Sequence, residues 1–251
     1  MKNEKLKIKN LKKILKKHSG RSHGRVTVRG QGGRHKRYYR QIDFKRSKFG
    51  VTGEMVEFDY DPNRNIEIAL IKYQDGEYSY ILKPQGLKLG DQVVSGEKGE
   101  NKVGNAMKLK NISIGSLVHN VELLPGHGGQ LGRSAGVSIQ LLAKIGGFAH
   151  LKMPSGEVRM IPLDSMATIG SLGNEEYAQR VLGKAGRSRH MGIKPTVRGV
   201  AQDPHSHPHG GGEGRSGVGR KKPMTKYGRP AVGKTRNKKK WTSKYIFKRI
   251  N

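Results

Sequence analysis

Short runs of apolar and β-branched residues, separated by turn residues, dominate the middle of the chain. Four such runs follow one another closely, at residues 54–60, 66–73, 78–82 and 93–94. Asp61-Pro62-Asn63 and Gln74-Asp75-Gly76 are turn signals between them, and the second stands where a hairpin would reverse. Because no helical segment separates these runs, they predict a small antiparallel barrel.

A second group of β-type runs follows the polar stretch 97–105. Its members are residues 116–124, 137–145, 149–153 and 158–163, with Pro154-Ser155-Gly156 as a turn. A spacing of about ten residues is typical of all-β sandwiches and barrels. Plausible helix content is confined to residues 175–182. The central part of the chain therefore predicts two small β-barrels, one after the other.

The two ends of the chain lack this strand pattern. Residues 4–17 place leucine and isoleucine at near-helical spacing among lysines, which predicts a short basic helix. An organellar import signal is the alternative, but such presequences are typically rich in Arg and Ser, which are absent before Ser19. Beyond Lys194 the periodicity disappears. The predicted organisation is a basic N-terminal arm (1–37), a first barrel (38–115), a second barrel (116–195) and an extended basic C-terminal tail (196–251).

The distribution of charge along the chain indicates the kind of partner that the protein binds. The 251 residues include 50 Lys and Arg against 19 Asp and Glu, a net charge of +31. Residues 1–49 hold 18 basic and 2 acidic side chains, residues 196–251 hold 15 and 2, and residues 50–195 hold 17 and 15. Arms of this composition bury too little apolar surface to order alone. They imply a polyanionic partner bound with strong salt dependence.

Composition also weighs against several classes of function. The chain has no Cys, which excludes disulfides and thiolate metal sites, and no apolar stretch long enough to span a membrane. Its few carboxylates fall mostly at turn positions such as Asp61, Asp75 and Asp91, where capping is the ordinary role. We therefore predict no catalytic residues, no enzyme activity, no small-molecule substrate and no membrane partner. We expect no cofactor or bound metal, with Mg²⁺ entering only through bound RNA.

Two other functions are alternatives to RNA binding. A nucleotide-dependent enzyme would need a phosphate loop, but Gly212-x-Gly214-x-x-Gly217 follows no strand pattern and Gly233-Lys234-Thr235 lacks the required spacing. A DNA-packaging protein would share the charge, but we would expect helices or repeats from it more than two β-barrels. RNA is the partner that the pattern favours.

Three glycine-rich basic segments carry the chemistry expected of an RNA-binding surface, namely 30–40, 126–136 and 183–190. Glycine permits close backbone approach, Arg and Lys neutralise phosphate, and Tyr38 and Tyr39 offer faces for stacking. A solvated basic loop is the alternative for each segment. The predicted RNA-binding residues are Arg34, His35, Lys36, Arg37, Arg40, Lys45, Arg46, Arg64, His127, Arg133, Lys184, Arg187, Arg189, Arg198, His207, His209, Arg215, Lys221, Lys222, Lys234 and Arg236.

Three histidines alternate in the run His205-Ser206-His207-Pro208-His209, and three glycines follow. A metal site is one interpretation, although metal-binding histidines normally have acidic or thiolate companions and a rigid frame. The favoured interpretation is a glycine loop threaded into packed RNA, where side chains would clash. There the imidazoles would donate to phosphate or to the 2′-hydroxyl.

These segments together resemble the bacterial-type large-subunit ribosomal protein L2 family, over about residues 24–248. The matching motifs are Gly33-Arg34-His35-Lys36-Arg37, Ile42-Asp43-Phe44-Lys45-Arg46, Tyr60-Asp61-Pro62-Asn63-Arg64, Tyr80-Ile81-Leu82, Gly90-Asp91-Gln92-Val93-Val94-Ser95-Gly96, Gly128-Gly129-Gln130-Leu131, Pro154-Ser155-Gly156-Glu157-Val158-Arg159, Gly183-Lys184-Ala185-Gly186, Pro195-Thr196-Val197-Arg198-Gly199 and the stretch 207–215. The resemblance implies an oligonucleotide-binding-type barrel followed by an SH3-like barrel. It also implies primary binding to large-subunit rRNA, support of subunit association and tRNA binding, and a C-terminal loop that reaches toward the peptidyl transferase centre, whose catalyst is RNA. The implied partners are this rRNA, neighbouring ribosomal proteins and the small subunit across the intersubunit face.

The chain departs from the family pattern at several positions. His190 stands where the family usually has Trp, and Lys226-Tyr227-Gly228 replaces the usual Pro-Trp-Gly. The stretch 202–206 also differs from the usual Met-Asn-Pro-Val-Asp. An altered rRNA environment would explain this drift. With the Lys and Asn bias and no evident presequence, the pattern favours an organelle-encoded protein of the mitochondrial matrix over a bacterial or plastid one, located in the large ribosomal subunit.

Overall fold

The computed structural model describes residues 2–16, 18–97, 99–233, 235–237 and 239–249, and within them it is mainly β. The helices are α1 (Lys2–Asn10) and α2 (Ala185–His190), with short 3₁₀ turns at Leu109–Asn111, Glu175–Gln179, Gly199–Ala201 and Trp241–Tyr245. The strands are β1 (Lys12–Ile14), β2 (Arg21–Ser22), β3 (Arg25–Val26), β4 (Tyr38–Arg40), β5 (Gly53–Asp59), β6 (Ile68–Tyr73), β7 (Tyr78–Leu82), β8 (Gln92–Val93), β9 (Ala106–Lys108), β10 (Leu117–His119), β11 (Val121–Glu122), β12 (Gly129–Leu131), β13 (Ile139–Ile145), β14 (Phe148–Lys152), β15 (Val158–Pro162), β16 (Met166–Ile169) and β17 (Ile246–Lys248). No helix in these ranges is long and apolar enough to cross a membrane.

The chain divides into two compact units. The first unit comprises the described residues of 2–16, 36–181 and 244–249, and it contains both large sheets. The second unit comprises the described residues of 18–35 and 182–243, and its regular structure is limited to the β2–β3 pair, α2 and short turns.

A four-stranded antiparallel sheet, in the order β7-β6-β5-β8, forms the first strand group of the first unit. Its β6–β7 hairpin reverses through residues 74–77, where Gly76 adopts a φ of +74° and its amide donates to the Tyr73 carbonyl at 2.9 Å. This is the turn that the Gln74-Asp75-Gly76 signal predicted. Strand β6 is buried along most of its length, so apolar side chains pack on both of its faces.

A seven-stranded antiparallel sheet, in the order β17-β15-β14-β13-β10-β16-β9, forms the second group. Its core includes Ile139, Leu141, Leu151 and Ile161, none of which is accessible to solvent. The alternation of buried and exposed positions along β14 places Ala149 and Leu151 in this core. Two successive sheets with separate apolar clusters confirm the predicted mainly β fold class. Strand β9 belongs to this sheet although it precedes residue 116, the predicted first residue of the second barrel.

The ends of the chain differ from the predictions. Helix α1 stops at Asn10 and β1 follows, because residues 12–14 pair with β4 and Lys12 forms an ion pair with Asp59 at 2.7 Å. Lys17, the predicted helix end, lies outside the described residues. Within the predicted C-terminal tail, β17 pairs with β15 and Tyr245 packs against the core, contacts that the sequence did not predict. Tertiary pairing overrides local pattern in both places.

The second unit is held by backbone hydrogen bonds between its two stretches of chain. The Gly32 amide donates to the Gly192 carbonyl at 2.7 Å, and the Lys194 amide donates to the Gly30 carbonyl at 2.8 Å. Gly32 lies close to Gly192, and a Cβ at Gly192 would approach Arg34 to 3.0 Å. Residues of the predicted N-terminal arm are therefore paired with residues 192–194, at the end of the range predicted for the second barrel.

His119 is a buried imidazole at the end of β10. Its side chain is 1% exposed, and Nδ1 lies 2.8 Å from the Gly170 carbonyl oxygen, to which it donates. Desolvation lowers the pKa of His119 to about 4, and the nearby charge of Arg46 acts in the same direction. The sheet therefore holds this histidine in its neutral form near pH 7.

We predict that acid weakens the first unit through this residue. The folded pKa of about 4 lies below the ordinary value of 6.5, so the stabilisation is complete above pH 6.5 and is lost as the pH falls toward 4. The loss reaches about 3 kcal/mol of unfolding free energy. Denaturant unfolding measured across this pH range should show a steeper decline for the native chain than for His119→Gln, which keeps a donor but does not titrate. Equal slopes would contradict this prediction.

Candidate nucleic-acid interface

The ring of Phe44 carries two arginine side chains in the first unit. The guanidinium carbon of Arg133 lies 4.5 Å from the ring centroid, and that of Arg64 lies 5.2 Å from it. Arg64 also approaches the Tyr39 ring, at 5.9 Å. A guanidinium stacked on an aromatic face keeps its in-plane N–H groups pointing outward. Arg64 and Arg133 are far apart in sequence, and the fold brings them to one aromatic platform.

The two guanidinium groups of this platform influence one another electrostatically. Desolvation lowers the pKa of Arg133, and the charge of Arg64 lowers it further. Each guanidinium has one intramolecular acceptor: Arg133 donates to the Gly129 carbonyl at 3.2 Å, and Arg64 lies 3.3 Å from the Asp61 carboxylate. Like charges repel one another, and an anion bound to both would relieve that repulsion.

The backbone carbonyl of Phe44 accepts two hydrogen bonds, from Gly129 and Asn120. The Gly129 amide donates to the Phe44 carbonyl at 2.8 Å, and the Asn120 amide group donates to the same oxygen at 3.3 Å. A Cβ at Gly129 would come within 2.0 Å of the Asn120 side chain, so only glycine fits there. Asn120 itself has a φ of +49°, a conformation that Asn tolerates better than most residues. The glycine at 129 therefore allows the loop to lie directly against the platform.

A buried carboxylate organises the glycine loop 126–128. Glu122, at the end of β11, is 1% exposed and accepts three backbone N–H groups. The donors are Gly126 at 3.1 Å, Gly128 at 2.8 Å and Met166 at 3.0 Å. His127 sits between two of these donors and is exposed. The loop is thus anchored from inside while its imidazole faces solvent.

Three predicted RNA-binding arginines face inward. Arg46 is 2% exposed, donates to Ser95 Oγ at 3.0 Å and to the Gly104 carbonyl at 3.2 Å, and has its pKa lowered by desolvation. Arg40 makes two hydrogen bonds to the Asp59 carboxylate, at 3.2 and 3.3 Å. Arg37 donates to the Pro62 carbonyl at 2.7 Å. A buried guanidinium must satisfy its donors internally. Arg46 is therefore a structural residue and is not part of the candidate interface.

The second unit presents basic side chains on and around α2. Lys184, Arg187 and Arg189 are exposed. The imidazole rings of His35 and His190 lie 4.4 Å apart at an angle of 55°, and the His35 amide donates to the His190 carbonyl at 3.0 Å. His190, noted above for departing from the family pattern, therefore has a packing role beside the predicted site residue His35.

Two imidazoles shape the loop at 205–210. His207 Nδ1 accepts the His209 amide at 3.1 Å, and His209 Nε2 accepts the Met224 amide at 2.9 Å. Each ring therefore has one nitrogen accepting, which makes the other nitrogen a donor in the neutral form. Desolvation lowers the pKa of His207, assisted by His209 and Arg29. A Cβ at Gly199 would lie 2.5 Å from the His207 ring, so this imidazole packs on bare backbone.

The other predicted site residues have simpler surroundings. Arg34 is half-buried and donates to the His35 carbonyl at 2.9 Å. Arg236 is half-buried and donates to Thr242 Oγ1 at 2.9 Å and Ser243 Oγ at 3.3 Å. Lys234 lies outside the described residues. The exposed members are Lys36, Lys45, Arg198, Arg215, Lys221 and Lys222. Within the described ranges no three His, Asp or Glu side chains converge as a metal site would require.

Comparison with known protein families identifies the family of the chain that carries these surfaces. Residues 8–95 match the family model described as Ribosomal Proteins L2, RNA binding N-terminal domain. Residues 102–228 match the model described as Ribosomal Proteins L2, C-terminal domain. The chain belongs to the ribosomal protein L2 family. It is a structural, rRNA-binding protein of the large ribosomal subunit, and the resemblance noted in the sequence is confirmed.

Two residues that organise this L2 interface have no signal in the sequence. Phe44 looks like any apolar residue within Ile42-Asp43-Phe44-Lys45-Arg46, and its platform role depends on arginines 20 and 89 positions away. Glu122 ends the two-residue strand β11, and nothing local indicates that its carboxylate turns inward to meet amides. Both roles arise from contacts distant in sequence.

We predict that Glu122→Gln loosens the L2 glycine loop. A neutral amide offers one acceptor oxygen and points an NH₂ group toward backbone donors, so buried N–H groups lose their partner. The free energy of unfolding should fall by about 3 kcal/mol. Hydrogen exchange of the Gly126 and Gly128 amides should accelerate by more than global unfolding explains. Glu100→Gln is the matched control, because the Glu100 side chain is 72% exposed and forms an ion pair with Lys102. Comparable losses in both variants would be evidence against the anchoring role.

Proposed function

We propose that this chain acts as an architectural scaffold for large-subunit rRNA, with no chemistry of its own. In this role it supports subunit association, tRNA binding and the architecture of the peptidyl transferase centre, where RNA is the catalyst. The observation that carries the proposal is the unneutralised charge of the second unit. The sequence of that unit, residues 17–35 and 182–243, has 21 Lys and Arg against 2 acids.

Those two acids do not offset the charge around them. The Asp203 carboxylate accepts the His205 amide at 2.8 Å, and Ser216 donates to the Glu213 carbonyl at 3.4 Å. Neither carboxylate forms an ion pair within the described part of the chain. Cations at this density repel one another unless an external polyanion neutralises them. Phosphate is therefore the counter-charge that best suits this unit.

The first unit supplies contacts of a different kind. Its carboxylates Asp59 and Glu122 are engaged by internal donors, and on the Phe44 platform the guanidinium carbons of Arg133 and Arg64 lie 4.5 and 5.2 Å from the ring centroid. Paired guanidinium groups with fixed orientation suit bidentate contact with phosphate. We assign Arg64 and Arg133, with the neighbouring His127, to the RNA contact made by this unit.

The two histidines of the 205–210 loop act by hydrogen bonding in this proposal. Internal backbone N–H donors fix the neutral tautomers of His207 and His209, and each neutral ring keeps one N–H to donate to phosphate or a 2′-hydroxyl. Gly199 and Gly210 allow the backbone to pack closely there, since a Cβ at Gly210 would come within 2.4 Å of the Asp203 carbonyl. A loop with this shape suits a narrow passage in folded RNA.

The setting of the protein follows from the same considerations. Neighbouring ribosomal proteins and the small subunit are its expected protein partners, and Mg²⁺ is expected only through bound rRNA. We propose the mitochondrial matrix as the location, in preference to a bacterial cytoplasm or a plastid. His190 and Tyr227 support this, because they depart from the family pattern at positions that an altered rRNA would affect.

We predict that Lys221→Ser with Lys222→Ser flattens the salt dependence of binding to large-subunit rRNA. Both lysines are exposed, and each phosphate contact removed lowers the slope of log affinity against log salt by about 1. Filter binding over a range of salt concentrations measures the slope. Lys102→Ser is the control, because Lys102 is exposed and paired with Glu100 in the first unit. A slope unchanged by the double substitution would remove these lysines from the interface.

We also predict that His207→Gln leaves peptide-bond formation largely intact in assembled ribosomes. Glutamine retains a donor and an acceptor but does not titrate near neutral pH, so hydrogen bonding survives while proton transfer does not. Puromycin reactivity across pH measures the outcome. Normal assembly with loss of reactivity and a shifted pH profile would overturn the architectural assignment of this residue.

A further inference from the structure

A cleft in the first unit differs in character from the basic surfaces. It has a volume of about 290 Å³. It lies between the segment 60–67, which connects β5 to β6, and the 3₁₀ turn Glu175–Gln179. Tyr60 and Tyr177 both line it, and Tyr60 is 67% exposed. Its volume falls at the lower end of the about 300–1,000 Å³ of small-molecule sites, which suits one small planar group.

Charge is nearly balanced inside this cleft, in contrast to the rest of the protein. Arg64 and Arg180 line it together with Glu67 and Glu176. Glu67 is engaged by Lys83 at 2.6 Å, whereas Glu176 is exposed and has no ion pair among the described side chains. A patch built only to neutralise phosphate would not carry two carboxylates. The composition suits a ligand with an uncharged aromatic part and an adjoining anionic part.

The walls of the cleft are held by hydrogen bonds that involve the side chains of Asn65 and Asn174. Asn174 Nδ2 donates to the Asn65 carbonyl at 2.6 Å, and the Ala135 amide donates to Asn65 Oδ1 at 3.2 Å. Asn174 has a φ of +64°, which turns the chain into the 3₁₀ turn that carries Tyr177. The guanidinium of Arg180 lies 5.8 Å from the Tyr177 ring centroid. Fixed walls with aromatic and guanidinium groups provide a stacking site.

We propose that this cleft receives one unpaired nucleotide of the rRNA. Its base stacks on Tyr60 and Tyr177, and its phosphates meet Arg64 and Arg180. The inference rests on the proposed function, because it names what one part of the RNA contact recognises. It adds that this contact reads an unstacked base, which backbone neutralisation by the basic arms does not do.

The test separates stacking from charge. Full-length chain is titrated with an oligoadenylate and with an abasic oligomer of equal length, at several salt concentrations. Tyr177→Ala should weaken oligoadenylate binding about tenfold at high salt, the usual effect of losing one base stack, with no change in salt slope. The abasic oligomer should bind both chains equally. Tyr177→Phe should restore the native affinity, because the ring and not the hydroxyl makes the contact.

Controls keep this inference distinct from the broader function. Leu89→Ala alters an exposed apolar residue, 63% accessible, outside the cleft and should have no effect. Unfolding temperatures of all variants verify the fold. Equal weakening of abasic and oligoadenylate binding, or none, overturns the nucleotide cleft while salt-dependent rRNA binding by the native chain still supports the function. Competition by free AMP as strong as by the oligomer would also overturn it, since the site would then take a free nucleotide. Failure of the native chain to bind rRNA would remove both.

Discussion

Mutual repulsion among 50 cationic side chains is the constraint on which the rest of this structure depends. Carboxylates, which offset this repulsion, are distributed unevenly between the two units. In the first unit, Asp59 joins Lys12, Arg40 and Tyr80, and Glu122 accepts three amides, so acids stabilise strand pairing and loop geometry from within. The second unit has almost no acids to use in this way, and its stretches are joined by backbone hydrogen bonds instead. Stability and unneutralised charge are thereby placed in different parts of the chain.

This allocation implies two modes of contact with one polyanion. In the proposed function, the exposed lysines and arginines around α2 and at positions 220–229 neutralise phosphate, with little demand on geometry. The Phe44 platform is different, because two guanidinium groups have set positions before any RNA arrives. Preorganised donors lose less conformational entropy on binding than free side chains do. In the proposed function, the first unit thus fixes the position of the protein on the RNA, and the second unit contributes much of the electrostatic attraction.

The sequence predicted the regular part of the fold well, for a clear physical reason. Runs such as 54–60 and 78–82 alternate or bury apolar residues and end at turn residues, and both fall within a residue of the observed strands β5 and β7. Short strands such as β12 and β17 were missed, because partners distant in sequence create them. Arg46 was assigned to the surface because residue type alone does not reveal burial. Its left-handed backbone, with a φ of +52°, and its acceptors Ser95 and Gly104 are tertiary features.

Strand β17 has a consequence for the order in which the chain is made. Its partner β15 ends at Pro162, more than 80 residues earlier, and the basic stretch 182–243 lies between them. Synthesis runs from the N-terminus, so the edge of β15 stays unpaired until this whole stretch has been translated. An open strand edge is a template for pairing with another chain. Once β17 docks, the intervening stretch becomes a loop with both ends fixed, and because closure entropy grows only logarithmically with loop length, changes in its length cost the sheet little.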